Sequence, residues 1–227
     1  MAVPEERRGR AHDAKGAREA ILNAAEKVFA GHGFDGARIA AIAAEAGYNS
    51  SLIFQYFGDK LGLYTAVLKR IDEQAGQIRA ESFEPVFADE AIVSDAHTFR
   101  TLLETAIRTI FDFLVEHPRL VRIYAWEEAE GWQTYAKTSS PSDARDIELF
   151  RTLLTKAQKA GLIRPSLDPA IIVNIVTDIC LSYQTALPRY QVTMKDRDFS
   201  SSEMLTHARE QIVDMLVHGI MVDPPEI

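Results

Sequence analysis

Apolar residues recur at three- and four-residue spacing along most of the chain, and no segment shows the strict alternation of a half-buried strand. In the N-terminal third, this spacing predicts helices at about 17–30, 38–46, 50–56 and 60–81. In the remainder, it predicts helices at about 97–116, 119–130, 141–161, 169–187 and 203–218. Glycine and proline residues between these segments supply the expected helix ends and starts. The pattern therefore predicts an all-α protein.

The segment 39–57 is predicted to contain two short helices joined by a tight turn. Apolar residues share one face of the first helix: Ile39, Ile42, Ala43 and Ala46. Gly47 follows at a position where a chain that leaves a helix often adopts a positive φ. The second helix has candidate capping residues at Asn49, Ser50 and Ser51, and its predicted apolar side is Ile53, Phe54 and Phe57. This is the pattern of a helix-turn-helix, whose second helix enters the major groove of DNA.

The exposed side of the second helix is predicted to be polar but uncharged, with amide and hydroxyl side chains. A helix face that is merely solvated usually carries Glu and Lys pairs, so this composition favours a DNA-reading surface over a hairpin inside a helical bundle. We therefore hypothesise a DNA-binding transcriptional regulator. The alternative is a helical ligand-binding bundle without a DNA function.

The formal net charge of −8 is unevenly distributed. Residues 1–75 carry ten Lys or Arg and ten Asp or Glu, so the excess acidity belongs to residues 76–227. This division is expected if residues 1–75 bind DNA and the acidic residues 76–227 are repelled by its phosphates. A chance distribution of charges on a solvated surface explains it equally well. Residues 1–14 are rich in arginine and have no apolar periodicity, which predicts a flexible basic arm, either along phosphates or in solvent.

Several function classes lack support in the sequence. Cys180 is the single cysteine, no apolar segment follows the N-terminal arginines, and no uninterrupted apolar run approaches a membrane span, so we predict a cytoplasmic protein without a membrane partner. The motifs Glu-x-x-His and His-Glu-x-x-His do not occur, and no glycine-rich phosphate loop is present. We therefore expect no metal site, no cofactor and no enzymatic activity.

The sequence resembles the TetR family of one-component regulators, most strongly over about residues 15–75. The resemblance is carried by short pieces in order: REAILNAA at 18–25, Phe29, GFD at 33–35, IA at 42–43, AG at 46–47, YFGDK at 56–60 and Leu63. It implies a helix-turn-helix DNA-binding domain at 15–75, with the motif itself at about 38–57. It also implies that residues 76–227 form a helical bundle for ligand binding and dimerisation, in a repressor whose dimer leaves a palindromic operator when a small molecule binds.

Six positions depart from the usual family pattern, and one of them is Asn49, which replaces the common Ser and is an acceptable cap. Ala37 stands where a hydroxyl side chain usually caps the first helix of the motif, and Tyr48 replaces a small aliphatic residue in the turn. Ser51 and Leu52 stand in place of Gly and Thr, and Phe54 stands in place of Tyr. The changes at Ala37, Leu52 and Phe54 remove hydroxyl groups that would contact DNA, so they affect the details of recognition more than the fold.

The candidate DNA-binding residues follow from residue type and position. Arg38 and Lys60, each at a helix start, are placed for phosphates, and the Tyr56 hydroxyl can contact the backbone. Base edges are within the expected reach of Asn49, Ser50, Ser51 and Gln55, and glutamine can pair with adenine. No Arg or Lys lies in the second helix of the motif, so the strongest guanine-reading contact is missing there.

The C-terminal part is predicted to hold the dimer interface and the effector site. The strongly apolar helices 169–187 and 203–218 suit a four-helix interface in a homodimer, or else they form internal core. The residues that combine aromatic surface with polar groups are the ligand candidates: Phe111, Tyr124, Trp126, Asn174, Asp178 and Tyr183. Such aromatic residues are more often core than ligand contacts.

Overall fold

A computed structural model describes the backbone of residues 5–87, 92–93, 95–138 and 141–222, and the side chains of 14–77, 92–93, 95–138 and 147–222. Its helices are α1 Glu5–Gly36, α2 Ile39–Ala46, α3 Ser50–Phe57, α4 Lys60–Phe87, α5 Ala96–Glu116, α6 Pro118–Ala129, α7 Tyr135–Thr138, α8 Pro141–Lys159, α9 Pro169–Thr193 and α10 Ser202–Ile220. Within those ranges the structure contains no strand, only an isolated bridge between Ile163 and Met221. The all-α prediction is confirmed.

The first helix differs from its prediction at its N-terminal end. The backbone of α1 is helical from Glu5, whereas the sequence predicted a helix start at about 17. The flexibility of the arm at residues 1–14 stays a prediction, and residues 1–4 lie outside the described part. Two glutamates begin this segment, where negative charge favours a helix start, and alanines and arginines with good helix propensity follow. The helical path breaks at Gly33, three residues beyond the predicted end at about 30.

The N-terminal compact unit consists of residues 1–74 and 122–139. Its core is built from side chains that are fully buried or nearly so: Ile21, Ala25, Phe29, Ile42, Ile53, Leu63, Tyr64 and Val67. The Tyr64 ring lies edge-on to Phe29 and Phe34, with centroid distances of 4.8 and 5.2 Å. Because these residues come from α1 to α4, the short helices α2 and α3 are held against a common apolar centre.

Residues 122–139, including most of α6 and all of α7, pack within this same unit. Glu127 is buried and accepts hydrogen bonds from the Tyr64 hydroxyl at 2.6 Å and from the backbone N–H of Tyr135 at 2.9 Å. The Trp126 indole N–H donates to the carbonyl of Ala30 at 3.2 Å. The family resemblance implied that this segment belongs to the C-terminal domain, and helical periodicity does not indicate which partner a helix face will meet.

The C-terminal compact unit consists of residues 75–121 and 140–227. Helix α5 packs against α9 and α10, and α9 also packs against α8. The buried side chains at its centre include Phe99, Ile107, Phe111, Ile172, Cys180, Val213 and Val217. Two ion pairs join α5 to α10: Arg108 to Glu210 at 2.8 Å and Arg209 to Asp112 at 2.7 Å. The hydrogen bond from Arg108 lowers the pKa of Glu210, which keeps that pair charged.

Helix α4 continues to Phe87, beyond its predicted end at about 81, and two boundaries further along this unit also differ from the prediction. Helix α9 continues through Pro188 to Thr193, where the sequence predicted an end at about 187. The turn beyond Pro188 is held by Tyr190, whose ring lies 5.7 Å from Tyr183 and 5.6 Å from Phe199. The spacing Ser-x-x-Glu at 200–203 predicts Ser200 as the cap of α10. The observed cap is instead Ser201, which accepts from the N–H of Met204. Asp198 holds Ser200 through its N–H and its hydroxyl, so Ser200 is not available as the cap.

Helix α9 is unusually apolar for its exposure. Among the described residues it is the one helix long and apolar enough to cross a membrane by length and composition, with a mean hydropathy of 1.5 over its most apolar 18-residue stretch. Only 22% of that stretch is buried. The apolar character that the sequence predicted is therefore present, and much of it lies on the surface of the single chain.

Candidate nucleic-acid interface

The turn between α2 and α3 has the geometry of a helix-turn-helix. Gly47 ends α2 with a φ of 73°, in the left-handed region that glycine adopts at little cost. The N–H of Tyr48 donates to the carbonyl of Ala43 at 3.0 Å, which satisfies one of the free carbonyl groups at the helix end. The chain therefore reverses within three residues, and α3 begins at Ser50.

Helix α3 is anchored at both ends. The side chain of Asn49 accepts a hydrogen bond from the N–H of Leu52 at 2.8 Å, which confirms it as the cap. At the other end, Gly62 approaches the carbonyl oxygen of Phe57 so closely that a Cβ would lie 2.1 Å from it. The N–H of Gly62 donates to the side chain of Asp59 at 2.7 Å, as expected of an aspartate that caps the start of α4. These local contacts fix the direction of an eight-residue helix that would be unstable alone.

The two sides of α3 have different environments. Ile53 is fully buried and attaches the helix to the core, whereas Ser51 and Gln55 are exposed. Phe54 is 48% exposed, so its predicted place on the buried side is wrong. Phe54 lies three residues from Ser51 and beside Gln55, which puts all three on the outward side. An eight-residue helix packed on one side has room for few core positions, and Ile53 occupies the central one.

The remaining predicted DNA-binding residues are distributed around α3. Arg38 is exposed and serves as the N-cap of α2 through its extended backbone, without a side-chain capping bond. Asn49 is exposed but its oxygen is engaged by Leu52, and Ser50 is half-buried. Tyr56 is also half-buried, with its ring 6.2 Å from that of Phe57. Arg38, Asn49, Ser51 and Gln55 thus have the most accessible side chains of the set.

Lys60 begins α4 but is held by neighbouring groups. Its ammonium group donates to the carbonyl of Asp35 at 3.2 Å and lies 4.6 Å from the centre of the Phe34 ring. The position at a helix start suits a phosphate, but a phosphate would have to share this ammonium group with the carbonyl. We therefore expect a smaller contribution from Lys60 than from a fully free lysine.

A buried polar pair supports the unit that carries the motif. Burial and the hydrogen bond to Glu127 both raise the pKa of Tyr64 well above its ordinary range, so the hydroxyl stays protonated and donates. Glu130 lies in the same unit, and partial burial together with Asp35 and Glu127 raises the pKa of its carboxyl group. The Tyr64–Glu127 pair was not predicted, because 63 residues separate its members.

A groove of about 380 Å³ lies on the C-terminal unit. Its lining comprises Ile175, Asp178, Ile179, Ser182, Tyr183, Tyr190, Ile212 and Met215. Two of the predicted ligand residues, Asp178 and Tyr183, belong to this lining. Phe111 is buried with its ring 5.7 Å from that of Tyr183, and Asn174 is exposed with its amide donating to the carbonyl of Ala170.

The other two predicted ligand residues belong to the N-terminal unit. The ring of Tyr124 lies 5.7 Å from Trp132 and 6.1 Å from Tyr135, and the indole of Trp126 is bonded to Ala30. These contacts are internal to residues 1–74 and 122–139. Neither Tyr124 nor Trp126 lines the groove on α9 and α10, so that groove does not unite the six candidates.

Comparison with known proteins gives matches over both parts of the chain. Residues 21–67 match the family model described as bacterial regulatory proteins, tetR family. Residues 100–216 match the model described as tetracyclin repressor-like, C-terminal domain. The first range contains the whole of α2 and α3, and the second contains most of α5 and α10 and everything between them.

Individual relatives support the same assignment. The chain is 30% identical to the HTH-type transcriptional repressor SCO4008 of Streptomyces coelicolor, over 73% of this chain and 72% of that protein. It is 28% identical to the HTH-type transcriptional repressor NicS of Pseudomonas putida, over 78% of this chain and 79% of that protein. The fold resembles the transcriptional regulator FadR of Bacillus subtilis in complex with stearoyl-CoA, with a TM-score of 0.61, 19% identity, and coverage of 89% and 98% of the two chains.

Proposed function

We propose that this chain, which belongs to the TetR family of bacterial regulatory proteins, is a cytoplasmic transcriptional repressor whose dimer binds a palindromic DNA operator and is released from it by a small molecule. The observation that carries the proposal is the outward side of α3. There, exposed Ser51 and Gln55 stand on a short helix that is capped at one end, anchored by Ile53 and held at the other end by α4. This arrangement suits insertion of a helix into the major groove.

The function is tested by selecting bound fragments from random duplex DNA with the purified full-length chain. We expect a palindromic consensus whose half-sites lie about 10 base pairs apart, or a multiple of that spacing, on one face of the duplex. Selected fragments without any shared sequence would contradict the proposal.

Salt dependence separates the regulator from a ligand-binding bundle without a DNA function. The affinity for the selected duplex should fall steeply as ionic strength rises, because bound phosphates release their counterions. The control is a scrambled duplex of the same composition, which should bind more weakly at every salt concentration. A chain that ignores all duplexes at low ionic strength would favour the bundle alternative.

The support for a dimer is the apolar outer side of α9 and α10. Ile171, Ile175 and Met215 are 55%, 44% and 59% exposed, and a monomeric protein rarely keeps so much apolar side-chain surface on adjacent helices in water. Two helices from each copy would form a four-helix interface across a two-fold axis. The same axis would duplicate α3, which matches the two half-sites of a palindrome.

The support for an effector site is the groove beside Tyr183. The Tyr183 hydroxyl and the Gln184 amide nitrogen are buried without a hydrogen-bond partner within the described part of the chain. Ile175 and Met215 line the groove as well as the proposed dimer interface, so a second copy would cover the groove and enclose a bound molecule. The largely apolar lining, with three hydroxyl-bearing residues and one carboxylate, suits an amphipathic ligand.

The effector proposal is tested by thermal unfolding against a panel of amphipathic metabolites that includes acyl-CoA esters, the class represented by the ligand in the FadR complex. A ligand should raise the melting temperature and lower the affinity for the selected duplex. Tyr183→Phe should weaken both effects, and Tyr124→Phe in the N-terminal unit is the control that should leave both unchanged. A panel that moves neither quantity would count against an effector of this class.

A further inference from the structure

The helix-turn-helix exposes two large aromatic side chains that the candidate DNA contacts do not explain. Among the side chains described in the N-terminal unit, the exposed large apolar residues are Tyr48 at 39%, Phe54 at 48% and Trp132 at 38%. Trp132 has aromatic partners, with ring distances of 5.7 Å to Tyr124 and 5.6 Å to Tyr135. Tyr48 and Phe54 lie instead in the turn and on the outward side of α3.

We propose that Tyr48 and Phe54 are specificity-determining residues that recognise thymine by contact with its 5-methyl group in the major groove. This inference rests on the proposed function as a DNA-binding regulator. Thymine is the one base that presents a methyl group in the major groove, and apolar side chains including phenylalanine are suited to it.

The chemistry of Phe54 restricts what it can recognise. A phenyl ring has no hydrogen-bonding group, so it can contribute to base recognition through apolar contact but not by pairing with a base edge or a phosphate oxygen. Its exposed position also gives it little part in the core, where the neighbouring Ile53 is fully buried. Contact with another apolar group would therefore remove the exposed part of the ring from water, and this burial is favourable.

The residues around Phe54 favour the same base pair. Residues 48–57 contain no Lys or Arg, so α3 lacks the side chains that pair with guanine. Gln55, beside Phe54, is exposed and can pair with adenine. A surface that offers an amide for adenine and an aromatic ring for the thymine methyl group is suited to A·T pairs.

The test begins with the consensus duplex obtained by random selection. Each thymine is replaced in turn by deoxyuridine, which removes only the 5-methyl group, and the dissociation constant is measured by fluorescence anisotropy. At a thymine contacted by the full-length protein, we expect affinity to fall about fourfold, the effect of no longer burying one methyl group. Deoxyuridine in the flanks outside the consensus is the control and should have no effect.

Two variants assign the effect to the aromatic side chains. Phe54→Ala and Tyr48→Ala should each bind the thymine and deoxyuridine duplexes equally at the position that the missing ring contacted. Ser51→Ala, on the same side of α3, should keep the fourfold ratio of the unaltered protein even if its overall affinity is lower. The comparison uses the ratio between two duplexes, so a general loss of active protein does not affect it.

Two results would overturn the inference. The first is equal binding of the thymine and deoxyuridine duplexes by the unaltered protein at every consensus position, a result that needs no variant to fold. The second is a full thymine preference in both Phe54→Ala and Tyr48→Ala. Either result leaves the regulator function standing if a palindromic consensus exists, whereas selection without a consensus would remove the proposed function and this inference together.

Discussion

The outward side of α3 and the outer side of α9 and α10 both expose apolar side chains, but their chemical settings differ. On α3 the exposed Phe54 lies beside polar Ser51 and Gln55 on a helix of eight residues. On α9 and α10 the exposed apolar residues include Ile175 and Met215, on helices of 25 and 19 residues. A short surface that mixes polar and apolar side chains is suited to binding bases in the major groove. A long aliphatic surface is suited to packing against the same helices of a second copy.

The two surfaces also differ in the contacts that fix their orientation. Helix α3 is too short to be stable alone, so caps and a buried isoleucine determine where its exposed side points. Helices α9 and α10 are long, and their inner sides bury Ile172, Cys180 and Val213 while the outer sides remain apolar. A polar substitution on α9 or α10 should therefore act on assembly, and a substitution on α3 should act on sequence preference.

The largest effect is expected from the combined substitution Ile175→Glu and Met215→Glu. Four carboxylates would then meet in the proposed interface, so the chain should be monomeric by light scattering. Loss of two-site binding should weaken operator affinity on the order of 100-fold.

Ile147→Glu provides the matched control for this pair. Ile147 lies on α8 and is 44% exposed, the same fraction as Ile175. This variant should keep the mass and affinity of the unaltered protein. A double variant that remains dimeric would contradict the assignment of the outer side of α9 and α10 to the dimer interface.

The next largest effect is expected at the support of the helix-turn-helix. Glu127→Ala removes the acceptor of two hydrogen bonds and leaves the buried Tyr64 hydroxyl unsatisfied. We expect a loss of about 3 kcal/mol in the free energy of unfolding, and a melting temperature roughly 8 °C lower by calorimetry. Glu128→Ala changes an exposed neighbour on the same helix and should have almost no effect. Equal melting temperatures for the two variants would show that the pair does not support the unit.

A smaller effect, confined to specificity, is expected from Gln55→Ala. If the amide pairs with adenine, its loss should reduce discrimination at one base-pair position by roughly tenfold. The measurement is a comparison of dissociation constants for the consensus duplex and for duplexes with single base-pair changes. Gln133→Ala removes another exposed glutamine from the N-terminal unit and is the control. Weaker binding to all duplexes alike would assign Gln55 to the phosphates instead.

The smallest effect is expected from Lys60→Ala. The ammonium group is shared with the carbonyl of Asp35 and the Phe34 ring, so we expect affinity to fall only about threefold, and equally for all sequences, with a salt slope lower by about 0.9. Lys69→Ala on the same helix changes a lysine 3.9 Å from Glu73 and should leave the slope unchanged. A changed sequence preference in Lys60→Ala would be inconsistent with a phosphate contact.

Local chemistry explains why much of the fold could be predicted from the sequence. Asn49 and Asp59 cap helices through contacts within three residues of themselves, so residue type and spacing are sufficient. The apolar composition of α9 and α10 likewise predicted two strongly apolar helices, but it did not indicate which of their sides is buried, since Ile175 and Met215 are exposed. Helix α9 nevertheless continues past Pro188, because ring contacts made by Tyr190 hold its last turn.

Long-range contacts explain what the sequence did not predict. Residues 122–139 join the N-terminal unit through the Tyr64–Glu127 hydrogen bond, which no local pattern indicates. Phe54 was predicted to be inside because it is apolar, but its exposure depends on how much of α3 the core covers. The replacement of the usual tyrosine by Phe54 was visible in the sequence. Only the structure shows that this side chain is exposed and therefore able to contact DNA.

The most direct test of the central claim is a structure of the full-length protein bound to its selected duplex. We predict that α3 lies in the major groove of each half-site, with Gln55 within hydrogen-bonding distance of a base edge and Ile53 directed toward the protein core. A complex in which the duplex lies against a different surface, with α3 turned away from the bases, would contradict it.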